Sequence, residues 1–474
     1  NVIVGGQNST ISGYNSRNFI GGGCLHTISQ GGLNTIVGGS NNCIATSGPF
    51  ASNEAIVGGV CNCLKADGGG CSSIVGGQCN SISNVYTGNG GAELRSFIGG
   101  GFKNTISSYS ENSQNAQLGH NSIVGGCCNV ISLGCSCGLS FIGSGFKNRV
   151  TSNQSFAGGG CLNLVSGSTS AVVAGFKNTA SASTSFIGAG ANNFLNAATS
   201  GIVAGAQNTS SANCSFIGAG QCNKACGNSR YGGIVSGFRN TLSGGYFSFI
   251  GGGTTNTVSG YYAAIAGGSL NTISAYYSFI GAGQVNCITT SGYNAGIVAG
   301  IFNLASGDSS IIGGGCKNLA SGNYSFVGGG TFNTASAVAT FIGGGQNNTS
   351  SGACSFVGGG CNNKIQSGDA FSVIGGGKSN SMGSGCGFIG GGVENCIIGG
   401  SSGNAGGGII VGGQCNQITT TTTGVNNTIV GGACNCINAT ISPNSFIGGG
   451  CKNLLLLGTA KCNSIIVGGQ QNTA

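Results

Sequence analysis

Along this chain a Gly stands three residues ahead of an Asn, with an aliphatic residue six ahead of it. The arrangement recurs twenty-eight times, and His26 is the one landmark that is not Asn. The landmarks run from Asn8 through Asn148, Asn163, Asn178, Asn193 and Asn208 to Asn472, and between Asn148 and Asn223 every step is 15 residues. A short period held over a whole chain describes a stacked solenoid, in which each unit touches only its neighbours, rather than a globular domain. Residues 1–474 therefore read as a single continuous all-β array, a parallel β-solenoid of about 28 short coils with a 15-residue repeat. The array opens and closes inside a repeat, as a piece cut from a longer one would.

Composition removes the competing classes. With Gly at 101 of 474 residues, a helical protein is excluded, since each interior Gly costs a helix roughly 1 kcal/mol. Collagen needs Gly at every third position and abundant Pro, and this chain has two Pro. Disorder fits poorly with 39% apolar residues held in fixed register. No apolar run is long enough to span a membrane, and no signal peptide is visible. The charge of +8 is spread thinly, without a basic run, so nucleic acid is not an expected partner. Lys103, Lys147, Lys177, Arg239, Lys317 and Lys452 share the register just before the Asn and form a broken row of outward cations.

The columns specify one rung. Six residues before the landmark stands Ile or Val in 27 of 28 copies, Ala157 being the exception. Such β-branched residues imply a short strand with this side chain turned inward. A second apolar column lies two residues past the landmark, as in Ile106, Val165, Leu242 and Ile288, with Thr10, Ser210 and Ser350 departing from it. The Gly column, which includes Gly145, Gly160, Gly175, Gly190 and Gly205 and runs from Gly5 to Gly469, admits no other residue. Such a position requires positive φ or a backbone packed against it. The Asn is expected at the same corner, accommodating left-handed geometry and hydrogen-bonding along the stack.

Beside the Ile/Val column two classes of rung appear. In one a Phe precedes it, including Phe141, Phe186, Phe216, Phe249, Phe279, Phe326, Phe341 and Phe356; in the other a Val follows it, as in Val173, Val203 and Val235. Neighbours on a strand face opposite ways, so these side chains point out of the coil. A stripe of them exceeds the few hundred Å² of apolar surface that a soluble monomer tolerates, and copies of the same chain are the expected cover. Two alternatives stand beside this: kinked strands that internalise both residues, and a 30-residue coil built from one rung of each class.

Seventeen of the 25 Cys flank the landmark. Cys43 with Cys63, Cys61 with Cys79, and Cys415 with Cys434 fall on neighbouring rungs within disulfide reach, and cross-linked rungs compete with packed free thiols as readings. Their placement follows the ladder rather than zinc spacing, and no metal or other cofactor is expected. Enzymatic constellations are absent: no Ser, His and Asp set and no phosphate loop can be found, so the chain is not read as an enzyme. Longer steps predict insertion loops near 84–94, 107–120 and 399–408. Tyr86, Glu93, Arg95, Tyr109, Glu111 and His120 are the residues there suited to contact a receptor or glycan.

The run Ser-Phe-Val-Gly-Gly-Gly-Thr-Phe-Asn-Thr-Ala-Ser at 325–336 resembles the head repeats of trimeric autotransporter adhesins of the YadA type, and is similar to repeats in phage and giant-virus fibre proteins. The resemblance implies a left-handed β-roll assembled as a trimer, and an extracellular, cell-surface or virion-surface setting. The chain departs from that pattern in its 15-residue step, its landmark Asn and its 25 Cys. Periodicity and resemblance together lead to the expectation of a self-assembling structural fibre, with an adhesin head acting through the loops as the alternative. An ice-binding solenoid, which needs a regular Thr row, ranks behind both.

Overall fold

The computed structural model describes all residues except 14–16, 31, 48–52, 68–69, 87–94, 111–119, 135–137, 384, 400–406, 421–425, 440–443 and 458–462. The described residues form strands and turns and contain no helix. They fall into two compact units, Asn1–Arg239 and Asn240–Ala474, each a stack of rungs.

In the first unit, fourteen strands from Val2–Ile3 to Gly233–Ile234 make one ladder and thirteen from Thr10–Ser12 to Lys224–Ala225 make another. A third runs through single bridges from Gln7↔Cys24 to Gln221↔Phe238. In the second unit, fourteen strands from Phe249–Ile250 to Ile465–Ile466, fourteen from Thr241–Leu242 to Leu454–Leu457, and bridges from Thr254↔Ser269 to Cys451↔Gln470 repeat the arrangement. All pairing is parallel and joins each rung to the next, as in Phe186↔Gly201 and Gly201↔Phe216. The coil therefore closes within one repeat, which excludes the 30-residue coil. Rung length averages about 17 residues rather than 15, because the rungs outside the regular stretches are longer.

The two inward columns form the core. Ile142, Val172, Ile187, Ile202 and Ile217 have no exposed surface, nor do Val150, Val165, Ala180 and Leu195 in the facing column. Burying each Ile or Val favours folding by roughly 1.5–3 kcal/mol. The residues immediately before Ile187, Ile202 and Ile217 stay half-buried or exposed, so the strands are not kinked and only one of each pair is internal.

Pairing corrects the sequence alignment at the first rung. Val2 pairs with Phe19 and Ile3 with Ile20, so Ser9, not Asn8, stands opposite His26. Its hydroxyl accepts from the His26 backbone N–H at 3.3 Å. The glycine column accordingly starts at Gly6, with φ 111°, rather than Gly5. Ile11, opposite Ile28, removes Thr10 as an exception in the second apolar column. A slip of one residue would turn the strand's apolar side chain outward, which is why register follows pairing rather than the nearest Asn.

The corner also differs from expectation. The left-handed residue is the one before the landmark: Lys147, Leu162, Lys177, Asn192 and Gln207 have φ between 53° and 60°, while the landmark itself is not among the positive-φ residues. A second left-handed position follows the landmark by six residues, at Gln154, Thr169, Thr184 and Thr199.

Parts of the predicted loops are strand. Ser81–Tyr86 and Thr105–Ser110 pair along their whole lengths, including Asn84↔Ser108, and Arg95–Ile98 pairs with His120–Ile123. Within 399–408, the Gly399 N–H donates to the Gly383 carbonyl at 2.7 Å. Residues 87–94, 111–119 and 400–406, and with them Glu93 and Glu111, lie outside the described residues.

Candidate functional site

The most regular constellation is the asparagine spine. The backbone N–H of Asn163, Asn178, Asn193 and Asn208 each donates to the side-chain Oδ1 of the landmark one rung earlier, at 3.0–3.1 Å. Each Nδ2 donates twice: that of Asn178 reaches the Ala174 carbonyl at 3.1 Å and the Gly190 carbonyl, one rung on, at 2.9 Å. The carboxamide is thus fully used, and its burial is compensated. Gly175, at φ 104°, lies against this network: a Cβ there would stand 2.5 Å from Asn178 Nδ2 and closer still to the Gly190 carbonyl. Both reasons offered for an all-glycine column apply together.

A second polar spine, two residues before the Ile/Val column, escaped the sequence reading. Asn34 donates its backbone N–H to Asn18 Oδ1, Glu54 to Asn34 Oδ1, and Ser72 to Glu54 Oε2, at 2.9–3.2 Å. In the regular rungs Ser170 and Ser185 take this place. The signal was present in the Ser of each Ser-Phe-Ile triplet, but Ser is too common in this chain to mark a column. Burial pushes the Glu54 carboxyl up to about 7, against lowering hydrogen bonds from Ser72. Burial likewise pushes His26 below the usual imidazole range. Glu54 Oε1 and His26 Nε2 are buried without a hydrogen-bond partner among the described residues.

The apolar face takes shape from an exchange between two outward columns. Phe186, Phe216, Phe249, Phe279, Phe341 and Phe356 are 36–46% exposed, and Phe141 and Phe326 are half-buried. Most of these rings lie over the Gly two residues on; a Cβ on Gly188 would meet Phe186 Cε1 at 3.5 Å, and one on Gly218 would meet Phe216 Cε1 at 3.4 Å. Where a rung has Ala or Gly in the Phe place, Val173, Val203 or Val235 supplies the bulk from the other column. Most regular rungs of each unit therefore present one large apolar group to this strip, the rung of Ala264, Ile265 and Ala266 being an exception. Where Phe recurs on successive rungs the rings stack, 4.9 Å apart for Phe326 and Phe341 and 5.0 Å for Phe341 and Phe356.

The cation row sits on an adjacent edge. Lys103, Lys147, Lys177 and Arg239 lie 4.8–5.1 Å from the centroids of the Phe rings that precede them in sequence, and Lys317 covers Phe332 on the next rung. These cations shield aromatic surface.

The six Cys singled out as disulfide candidates are free thiols here. Cys43 and Cys63 are direct cross-strand partners. Hydrogen bonding between them lowers the Cys43 thiol to about 6 and raises that of Cys63. Cys61 and Cys79 occupy the left-handed corner position on neighbouring rungs, as do Cys415 and Cys434. Burial and a 3.3 Å hydrogen bond to Glu394 involve Cys415, whose thiol is raised chiefly by that bond. Among the described residues, no group of three or more His, Cys, Asp or Glu is placed to hold a metal ion. At the insertions, Arg95 and His120 face each other in register and Tyr109 is exposed on its strand.

No protein-family model matches the chain, and no curated protein matches it. What the fold defines is therefore a class, the parallel β-solenoid repeat proteins.

Proposed function

We propose that this chain is a structural, self-assembling β-solenoid that builds a fibre of a surface appendage or virion. The observation that carries the reading is the apolar strip, filled in most regular rungs of each unit by Phe, Ile or Val in one column or by Val in the other. An exposed strip of this size favours burial against other copies. The likeness of the rungs to YadA-type and viral fibre repeats supports a trimer and an extracellular setting. Residues that would hold a cofactor or perform catalysis have no part in it.

Sedimentation and negative-stain microscopy of the whole chain test this. Assemblies are expected for the parent sequence, and dispersed monomers for a variant carrying Phe186→Ser, Val203→Ser and Phe216→Ser. A parent chain that stays monomeric at all concentrations, with its strip exposed, would falsify the proposal. The adhesin alternative draws less support at the insertions, whose described parts are largely paired strand.

A further inference from the structure

In the unit Asn240–Ala474, the second corner carries a feature unlike the rest of the molecule. Seven of the chain's 11 Tyr fall between residues 246 and 324. They line up rung on rung. Tyr261 stacks on Tyr276 at 4.6 Å, and Tyr262 stacks on Tyr277 at 5.0 Å and on Phe247 at 5.2 Å. Tyr246 and Tyr293 close the first row with edge contacts at 5.2 and 5.4 Å. Downstream, the same corner column continues through Asp308 to Asn323, Val338 and Ala353, and at the last three rungs a groove of about 460 Å³ opens. The hydroxyl-bearing residues Ser321, Ser336 and Ser351 line it, with Asn323 and small residues. Ser336 Oγ donates to Ser351 Oγ at 2.9 Å. Its floor cannot fill in, because a Cβ on Gly322 would collide with the Ala337 carbonyl of the next rung.

We infer that this groove, with the tyrosine ladder starting two rungs before its Asn323 end, binds a neutral, extended glycan chain. The inference deepens the adhesin alternative and rests on it, while moving its site from the insertions to the corner. Three observations select the ligand class. Between residues 241 and 370 only Asp308, Lys317, Lys364 and Asp369 are charged; Lys317 is placed over Phe332 and Asp369 is buried, and none of the four lines the groove, so neither a polyanion nor a polycation finds a row of partners. The aromatics here are mostly Tyr, whereas the strip suited to covering by another copy uses Phe and Val; Tyr offers apolar ring surface and a hydroxyl together. The polar groups recur at the rung spacing of about 4.8 Å and run from Ser321 to Ser351 for roughly 10 Å, which suits a linear polymer with repeated hydroxyls.

Affinity electrophoresis of the whole chain through gels containing dextran, mannan, xylan or laminarin tests the inference, with alginate as the anionic comparison. At least one neutral polymer is expected to retard the protein, and alginate is not. Val338→Trp, which fills the groove from its exposed rim, and the double variant Tyr261→Ala, Tyr276→Ala are each expected to weaken retardation at least tenfold. The exposed rim position keeps the first variant folded if the second is not. Retardation by no neutral polymer, or undiminished retardation of Val338→Trp, overturns the inference. If deletion of 400–406 alone abolishes binding, the groove is wrong and the adhesin reading survives. If Val338→Trp changes sedimentation but not retardation, the groove meets a second copy, which also overturns the glycan.

Discussion

The rungs from Asn148 to Asn223 and those from Cys43 to Leu133 belong to the same unit and share their ladders, yet they fill them differently. In the regular rungs the strand after the landmark has two residues, and the chain then turns at a left-handed Gln154, Thr169, Thr184 or Thr199. In the longer rungs the strand continues: Cys43–Ser47 and Cys63–Asp67 have five residues, and Ser81–Tyr86 and Thr105–Ser110 have six. The added inward positions, Thr46, Ala66, Asn84 and Ser108, are buried. Neighbouring rungs lengthen together, so the added residues extend the ladder and pair with the strand beside them, as in Thr46↔Ala66 and Asn84↔Ser108. The wider interior is filled with polar side chains: Asn84 Nδ2 reaches Ser72 Oγ at 3.1 Å, and Asn121 Nδ2 reaches Ser108 Oγ at 3.0 Å. Regularity thus belongs to the apolar columns, while the enlarged rungs depend on individual hydrogen-bonded pairs.

That difference can be broken most severely in the regular stretch. Gly175→Ala combines an unfavourable φ with overpacking against Gly190 and Asn178, and is expected to cost about 4 kcal/mol. Because rungs couple only to their neighbours, hydrogen exchange should accelerate around 172–193 and remain slow in rungs several steps away. Uniform acceleration across the unit would contradict nearest-neighbour stacking. Asn178→Ala removes the acceptor of the Asn193 N–H and both Nδ2 bonds, an expected loss of about 3 kcal/mol. The Asn193 amide should show the largest change in exchange; if it keeps its protection, the spine is not what holds the corner.

In the longer rungs the sign reverses. A carboxyl whose folded pKa is raised from 4.5 to about 7 is favourable to the fold when protonated, and stability falls as pH rises between those values. Glu54→Gln should therefore stabilise by about 2 kcal/mol above pH 7, with the gain vanishing near pH 4. Denaturant titrations at several pH values check this, and a gain independent of pH would point to packing instead. The smallest effect belongs to the edge of the regular rungs, where Lys177→Met removes a cation from the Phe176 ring and is expected to cost about 0.5 kcal/mol. In the longer rungs Cys61, Cys79 and Cys128 occupy that corner position, and Lys103, over Phe102, offers the equivalent loss. A denaturation midpoint shifted by more than a few tenths of a molar would show that Lys177 does more than shade a ring.

The spine and the glycine column were legible from sequence because each recurs at a fixed offset and each tolerates almost no substitution. The Ser and Asn column was not, since residues this common lack contrast. Nor was the tyrosine corner, because the aromatic rows appear as one feature only when successive rungs are superposed. Propensity points to the landmark Asn as the left-handed residue, yet the corner gives that place to the residue before it, whether Lys, Leu, Cys, Gln or, at Asn192, another Asn, and reserves the landmark Asn side chain for the interior, where hydrogen bonds outweigh a local preference of about 1–2 kcal/mol.

Period, inward columns and the outward placement of Phe and Val follow from sequence alone, because a two-residue alternation and a fixed offset are local properties of the chain. Register at the first rung, closure of the coil in one repeat, the conversion of insertions into strand, and the groove beside the tyrosines were decided only in three dimensions. Each depends on hydrogen bonds or contacts between one rung and the next, and such contacts exist only after the chain has stacked.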